Sequence, residues 1–188
     1  MCSKPILAWP PVTLRQARPA DANDRLRCGR HPEATRMYGG DPANTAPLTA
    51  QDAEEWRRQT AADPLAWVID VADRAIGTVR LHALRPADRC ARLAIGIFDA
   101  DCWGRGYGTW AIRLALRHAF ETMGLHRVDL RVLEYNERGI AAYAKCGFRR
   151  EGLERESALV AGRWYSDVIM GILEHEYRDL APAWWADR

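Results

Sequence analysis

The chain has 188 residues, 48% of them hydrophobic and 28% charged, the size and balance of one globular domain with room for a substantial core. Lysine and arginine number 27 against 25 aspartates and glutamates, a formal charge of +2 that supplies no broad attraction to nucleic acid or to an anionic membrane surface. No stretch approaches the roughly 18–20 apolar residues that span a bilayer, and residues 1–12 lack a basic start followed by an apolar signal core; a cytoplasmic protein without nucleic-acid or membrane partners is expected.

The first element is a strand over Val12 to Arg18, followed by a helix that Pro19-Ala20-Asp21 opens and that runs to about Arg27. Cys28 to Leu48 is rich in Gly, Pro, Asn and Asp and reads as a surface loop, a usual place for substrate contacts. Thr49, three residues before Asp52, forms a capping-box start for a helix to about Ala62, which Pro64 ends. Leu65 to Val71 and Ala75 to Leu84 read as a hairpin about Ala72-Asp73-Arg74, and Ala91 to Phe98 follows as a third antiparallel strand.

A helix is predicted from near Trp110, with Ile112, Ala115, Leu116, Ala119, Phe120 and Met123 on its apolar face and Gly124 at its C-terminus. His126 to Leu133 is the next strand. Glu137 to Cys146 is the next helix, with Asn136 as N-cap and Gly147 as its stop. Phe148 to Leu159 and Arg163 to Leu173 form a closing hairpin about Val160-Ala161-Gly162. The strand-helix-strand-helix run from Leu93 to Cys146 requires a parallel strand pair inside an otherwise antiparallel sheet, and ligands usually bind at the carboxyl ends of such strands. One domain over residues 12–177 is expected, with a tail over 178–188 that packs on the body or frames a partner surface.

The most informative segment is Trp103-Gly104-Arg105-Gly106-Tyr107-Gly108-Thr109, between an apolar strand and a long amphipathic helix. Alternating glycines let the backbone approach a ligand, and the first N–H groups of the following helix point at whatever sits there, with about half a positive charge from the helix dipole. A diphosphate suits such a corner even with Arg105 as the one cation in the loop. Gly106-x-Gly108-x-x-Ala111 superficially fits a dinucleotide fingerprint, but a Rossmann unit places its first glycine directly after the strand, and here five residues intervene after Phe98. A mononucleotide P-loop would need Gly-Lys-Ser/Thr. The five cysteines, Cys2, Cys28, Cys90, Cys102 and Cys146, are scattered, with no spacing for a zinc or redox site, so reduced thiols and no metal are expected.

Two blocks together resemble the GCN5-related N-acetyltransferase superfamily, particularly the branch with the ribosomal-protein Nα-acetyltransferases. The first is Ile95-Gly96-Ile97-Phe98 with the glycine segment, in which Trp103 stands where many members have Gln or Arg. The second is Asn136 to Phe148, with Tyr143 seven residues after Asn136 and Gly147-Phe148 closing it. The resemblance covers about Val12 to Tyr177. It implies the acyl-CoA N-acyltransferase fold, an α+β architecture with a mixed, mostly antiparallel seven-strand sheet, a splayed parallel pair and helices on both faces. It further implies acetyl-CoA as cosubstrate, held at its diphosphate by Trp103, Gly104, Arg105, Gly106, Tyr107, Gly108 and Thr109. Ile97 and Phe98 would offer main-chain groups to the pantetheine arm, Asn136 would bond that arm from the other side, and Arg138 would reach the nucleotide phosphates or stay solvated.

By the same resemblance Tyr143 is the general acid that protonates the departing thiolate. The general base is less defined: many members carry a Glu on the strand before the glycines, but Ala91 to Ile97 has none. Glu134 and Asp99 are the nearest carboxylates, His82 is another possibility, and a water chain would also serve. An α-amine with a pKa near 8 loses about 1.4 kcal/mol to deprotonation at pH 7, a lysine-like amine near 10.4 about 4.6 kcal/mol. The missing Glu therefore leans toward a peptide N-terminus or a small amine of lowered pKa as acceptor. The implied activity is direct attack of that amine on acetyl-CoA in a ternary complex, by a monomer or homodimer; the alternative is a noncatalytic acyl-CoA sensor or interaction module.

Overall fold

The computed structural model describes residues 4–186; Cys2 and the last two residues of the tail fall outside them. The strands are β1 (Leu7–Trp9), β2 (Val12–Arg15), β3 (Ala66–Val71), β4 (Arg74–Arg85), β5 (Cys90–Ile97), β6 (Arg127–Leu133), β7 (Arg149–Val160) and β8 (Arg163–Leu173). They form one sheet in the order β1-β2-β3-β4-β5-β6-β8-β7, in which β5 and β6 are parallel and every other neighbouring pair is antiparallel. The sheet has eight strands rather than seven. The additional β1 is three residues long and pairs with β2 ahead of the expected start at Val12, too short to leave a period in the sequence.

The helices are α1 (Asp21–Cys28), α2 (Pro32–Met37), α3 (Ala50–Ala62), α4 (Tyr107–Arg117), α5 (Glu137–Ala144) and α6 (Glu174–Trp185). One face of the sheet carries the main core, where Leu14, Trp67, Leu81 and Leu93 from the strands meet Ile112 and Leu116 of α4. The other face carries α1 and α3. A buried ion cluster ties α1 there: Arg15, 3% exposed, donates through Nε to Asp70 (2.6 Å) and through both Nη atoms to Asp21 (2.8 Å each). Trp56 of α3 donates its indole N–H to Thr78 of β4 at 2.9 Å.

Local chemistry explains most boundaries. The capping box of α3 has Thr49 accepting from the Asp52 N–H at 3.1 Å and Asp52 accepting from the Thr49 N–H at 3.0 Å. Ala72 (φ 52°) and Asp73 (φ 61°) turn β3 into β4 by a two-residue hairpin of the kind that needs positive φ at both centres. The segment expected as loop from Cys28 to Leu48 instead contains α2, started by His31 as N-cap with Pro32 in the first turn, and a 3-10 turn at Pro42–Asn44. The tail packs on the body. Within α6, Tyr177, Ala181 and Trp184 are buried against the body. Among the described residues no helix is long and apolar enough to cross a membrane.

Candidate active site

The site begins where the sheet fails to close. β5 and β6 pair at Cys90↔Arg127, Ala91↔Val128 and Arg92↔Asp129 and then separate, leaving the rest of both strands facing a cleft. In an antiparallel ladder a residue gives both main-chain groups to one neighbour, and the next residue gives both to the other side. The Phe98 N–H donates to the Ile76 carbonyl across β4 (2.8 Å), so two-residue alternation turns the main-chain groups of Ile95 and Ile97 toward the cleft. Both carbonyls are met by aromatic donors: the Tyr38 hydroxyl donates to Ile95 at 2.6 Å and the Trp103 indole N–H to Ile97 at 3.1 Å. A cavity of about 670 Å³ fills the cleft, a volume suited to a small-molecule ligand.

At the open end of the slot lies the glycine corner. Gly104 (φ 73°) and Gly106 (φ 80°) adopt the left-handed conformation, and Gly106 is the N-cap of α4, which starts at Tyr107, a turn earlier than the expected Trp110. A Cβ on either glycine would meet no heavy atom within 4 Å, so the backbone here is open to a ligand. As the first three residues of the helix, Tyr107, Gly108 and Thr109 have N–H groups without an intrahelical acceptor. Trp103 lines the cavity beside this corner, with the Arg138 guanidinium 4.2 Å above its ring and His31 against it at 4.7 Å. Arg138 also pairs with Glu33 at 3.1 Å, so Trp103 and Arg138 join the glycine corner to α2.

From the α5 side, Asn136 caps its helix, its Oδ1 accepting the Gly139 N–H at 2.9 Å, and lines the cavity. Tyr143, two turns on, packs edge-on against Phe148 at 5.8 Å and borders the same cavity. Burial first, then the neighbouring Tyr38 and Cys146, push the Tyr143 hydroxyl well above the usual phenol range. It therefore holds its proton at neutral pH.

Residues 12–149 match the family model described as the acetyltransferase (GNAT) domain. The chain belongs to the GNAT acetyltransferase family. Among its relatives, YjcK of Bacillus subtilis, a probable N-acetyltransferase, is 36% identical over 103 residues, spanning 54% of this chain and 56% of that protein. The spermidine N(1)-acetyltransferase of Vibrio cholerae is 31% identical over 110 residues, 58% of this chain and 63% of its own length. Both matches span less than two thirds of the relatives. A crystal structure of spermidine N-acetyltransferase from Vibrio cholerae with CoA and spermine superposes with a TM-score of 0.74 at 24% identity, covering 89% of this chain and 98% of that one, a shared fold.

Within this GNAT domain the residues expected at the site divide into two groups. Ile97, Trp103, Gly104, Gly106, Tyr107, Gly108, Thr109, Asn136, Arg138 and Tyr143 line one cavity, and Arg105 stands exposed between two of its glycines. Phe98 does not join them. Its N–H is taken by Ile76, and its ring lies between Trp56 (5.4 Å) and the Arg25 guanidinium (4.4 Å) on the α1/α3 side. Glu134 is also elsewhere: its carboxylate accepts the Ser166 N–H at 2.9 Å, tying β6 to β8. Asp99 is buried in an ion pair with Arg74 at 2.7 Å. His82 lines the cavity.

Cys102 also borders the cavity, with burial and Asp99 pushing its thiol up to about 11, the behaviour of an inert neighbour. Tyr38 is the site residue that sequence reasoning missed. It follows α2 on that side of the slot, and burial of its hydroxyl end, although the residue as a whole is 60% exposed, pushes it up to about 12. The available signal was Gly96, a glycine inside a strand, where an added Cβ would overlap the Tyr38 hydroxyl.

Proposed function

We propose that this chain is an acetyl-CoA-dependent N-acetyltransferase acting on a primary amine, either a peptide N-terminus or a small amine. The observation that carries this reading is that one cavity takes in the glycine corner, Ile97, Ile95 and Tyr143. The corner suits the diphosphate: three unpaired helix N–H groups and the positive helix end face an opening that no Cβ fills. Ile95 and Ile97 suit the two amides of a pantetheine arm laid beside β5 as an added strand. The Asn136 side-chain amide bonds the arm from the α5 side.

In this arrangement the amine enters from the face that carries α2 and attacks the thioester where the slot is narrow. Main-chain N–H groups of β5 polarise the carbonyl, and Tyr143 donates its proton to the sulfur as the carbon–sulfur bond breaks. Position makes Tyr143 effective: it stands on the α5 wall of the slot, and at neutral pH it is the protonated, neutral phenol. The spermidine acetyltransferases among the relatives support a small amine as acceptor.

Thiol release from acetyl-CoA in the presence of a panel of amines tests the reading. Tyr143→Phe is expected to keep CoA affinity while kcat falls about a hundredfold. A wild-type chain that binds CoA and releases no thiol with any acceptor would instead favour a noncatalytic acyl-CoA sensor.

A further inference from the structure

We infer that His82 is the general base of this site, taking the proton of the acceptor ammonium directly or through one water of the cavity. The assignment rests on the transferase reading above and follows from geometry and elimination. His82 lies on β4 opposite Arg92 of β5, and Arg92 is opposite Asp129 of β6 in the last rung before the two strands part. Cross-strand partners share a face, so the imidazole stands beside the closed end of the slot. That face is also the one over which Tyr38 reaches Gly96, since Arg92, Ala94 and Gly96 alternate with the core-facing Leu93, Ile95 and Ile97. The amine arrives on this face, while Tyr143 lies across the slot on α5.

The rest of the cavity wall supplies no comparable proton acceptor. Burial pushes the Tyr38 and Tyr143 hydroxyls and the Cys102 thiol upward, so they hold their protons, and arginine and lysine side chains are donors with no acceptor atom. Asp167, on β8, already accepts the Ser157 hydroxyl at 3.0 Å, and a carboxylate is by nature a weaker base than an imidazole. Glu134 and Asp99 are committed to Ser166 and Arg74 outside the cavity. No described residue hydrogen-bonds the His82 ring.

Four charged groups act on that ring. Arg80 on its own strand and Arg92 on β5 add to burial in holding its pKa below the ordinary value, and Asp129 on β6 and Asp63 after α3 oppose them. The imidazole is therefore neutral at pH 7, with a ring nitrogen lone pair free to accept a proton. The ammonium loses one proton to His82, which passes it to solvent; the freed lone pair forms the carbon–nitrogen bond. The carbon–sulfur bond then breaks with its electron pair on sulfur, which takes the Tyr143 proton, and the second nitrogen proton restores Tyr143 through water.

The decisive experiment is kcat/KM for an α-amine acceptor between pH 6 and 9.5, wild type against His82→Gln, with CoA affinity measured in parallel. The expected result is unchanged CoA affinity and a loss of at least about tenfold at pH 7, shrinking to within about twofold near pH 9, where the ammonium is already deprotonated by solvent. Free imidazole is expected to restore activity to His82→Ala, which serves if the Gln variant is unstable. Full activity of either variant at pH 7, or a defect of constant size across the pH range, overturns the assignment and leaves the transferase reading standing. No thiol release by the wild type with any acceptor overturns both.

Discussion

Tyr38 and Trp103 hydrogen-bond the two carbonyls of β5 that face the slot, Ile95 and Ile97. A pantetheine arm running along β5 competes for the same carbonyls, so each aromatic donor opposes its entry by the worth of a hydrogen bond, about 0.5–1.5 kcal/mol. Tyr38→Phe keeps the ring and removes the donor. Calorimetry on that variant is expected to show CoA binding tighter by about two- to tenfold; weaker binding would mean that the hydroxyl contacts the ligand. Single residues were unevenly legible in the sequence. Asn136 and Tyr143 lie seven residues apart at one short helix, so a resemblance carried by one contiguous block could single them out as expectations, and the glycines cluster within one loop. Tyr38 meets a carbonyl 57 positions away, and Glu134 loses its freedom to Ser166 on a different strand. Such relations are tertiary, and no local period encodes them.

At the level of elements, the helix after the glycine corner does not keep one pitch. α4 ends at Arg117 and continues as a π-helical turn, His118–Thr122, that the sequence pattern read as one helix to Met123. Single π turns are set by packing rather than by composition, which is why the apolar period ran through it unbroken. This turn buries His118 edge-on to Trp67 at 5.2 Å, with its Nδ1 lacking a partner among the described residues. Burial holds its pKa below the ordinary 6.5. The folded state therefore binds fewer protons than the unfolded chain, and the stability from the neutral ring is complete above pH 6.5 and lost as pH falls toward the folded pKa. The melting temperature is expected to drop between pH 7.5 and 5.5, and His118→Leu to flatten that drop, leaving the share due to His82, which is shifted the same way. An unchanged slope in His118→Leu would show that the ring is not buried neutral.

Across the whole molecule, the sheet separates two populations of groups that meet at one opening. The core face brings α4, α5, the glycine corner and Tyr143; the opposite face brings α1, α2, Tyr38 and His82; the parting of β5 from β6 joins them. The order of elements made this architecture readable in advance, because a meander followed by two strand-helix steps requires a parallel pair within an antiparallel sheet. What it left unread were β1, α2 and the helical form of the tail, short or composition-poor pieces held by the body they pack on. Main-chain amides at the glycine corner are proposed to grip the diphosphate of coenzyme A. Calorimetric titration of the chain with acetyl-CoA and with acetyl-pantetheine, which lacks that diphosphate, tests it most directly. One-site binding of acetyl-CoA with acetyl-pantetheine at least about a hundredfold weaker, the worth of two charge-assisted hydrogen bonds, is predicted; equal affinity for the two, or no heat with acetyl-CoA, would contradict it.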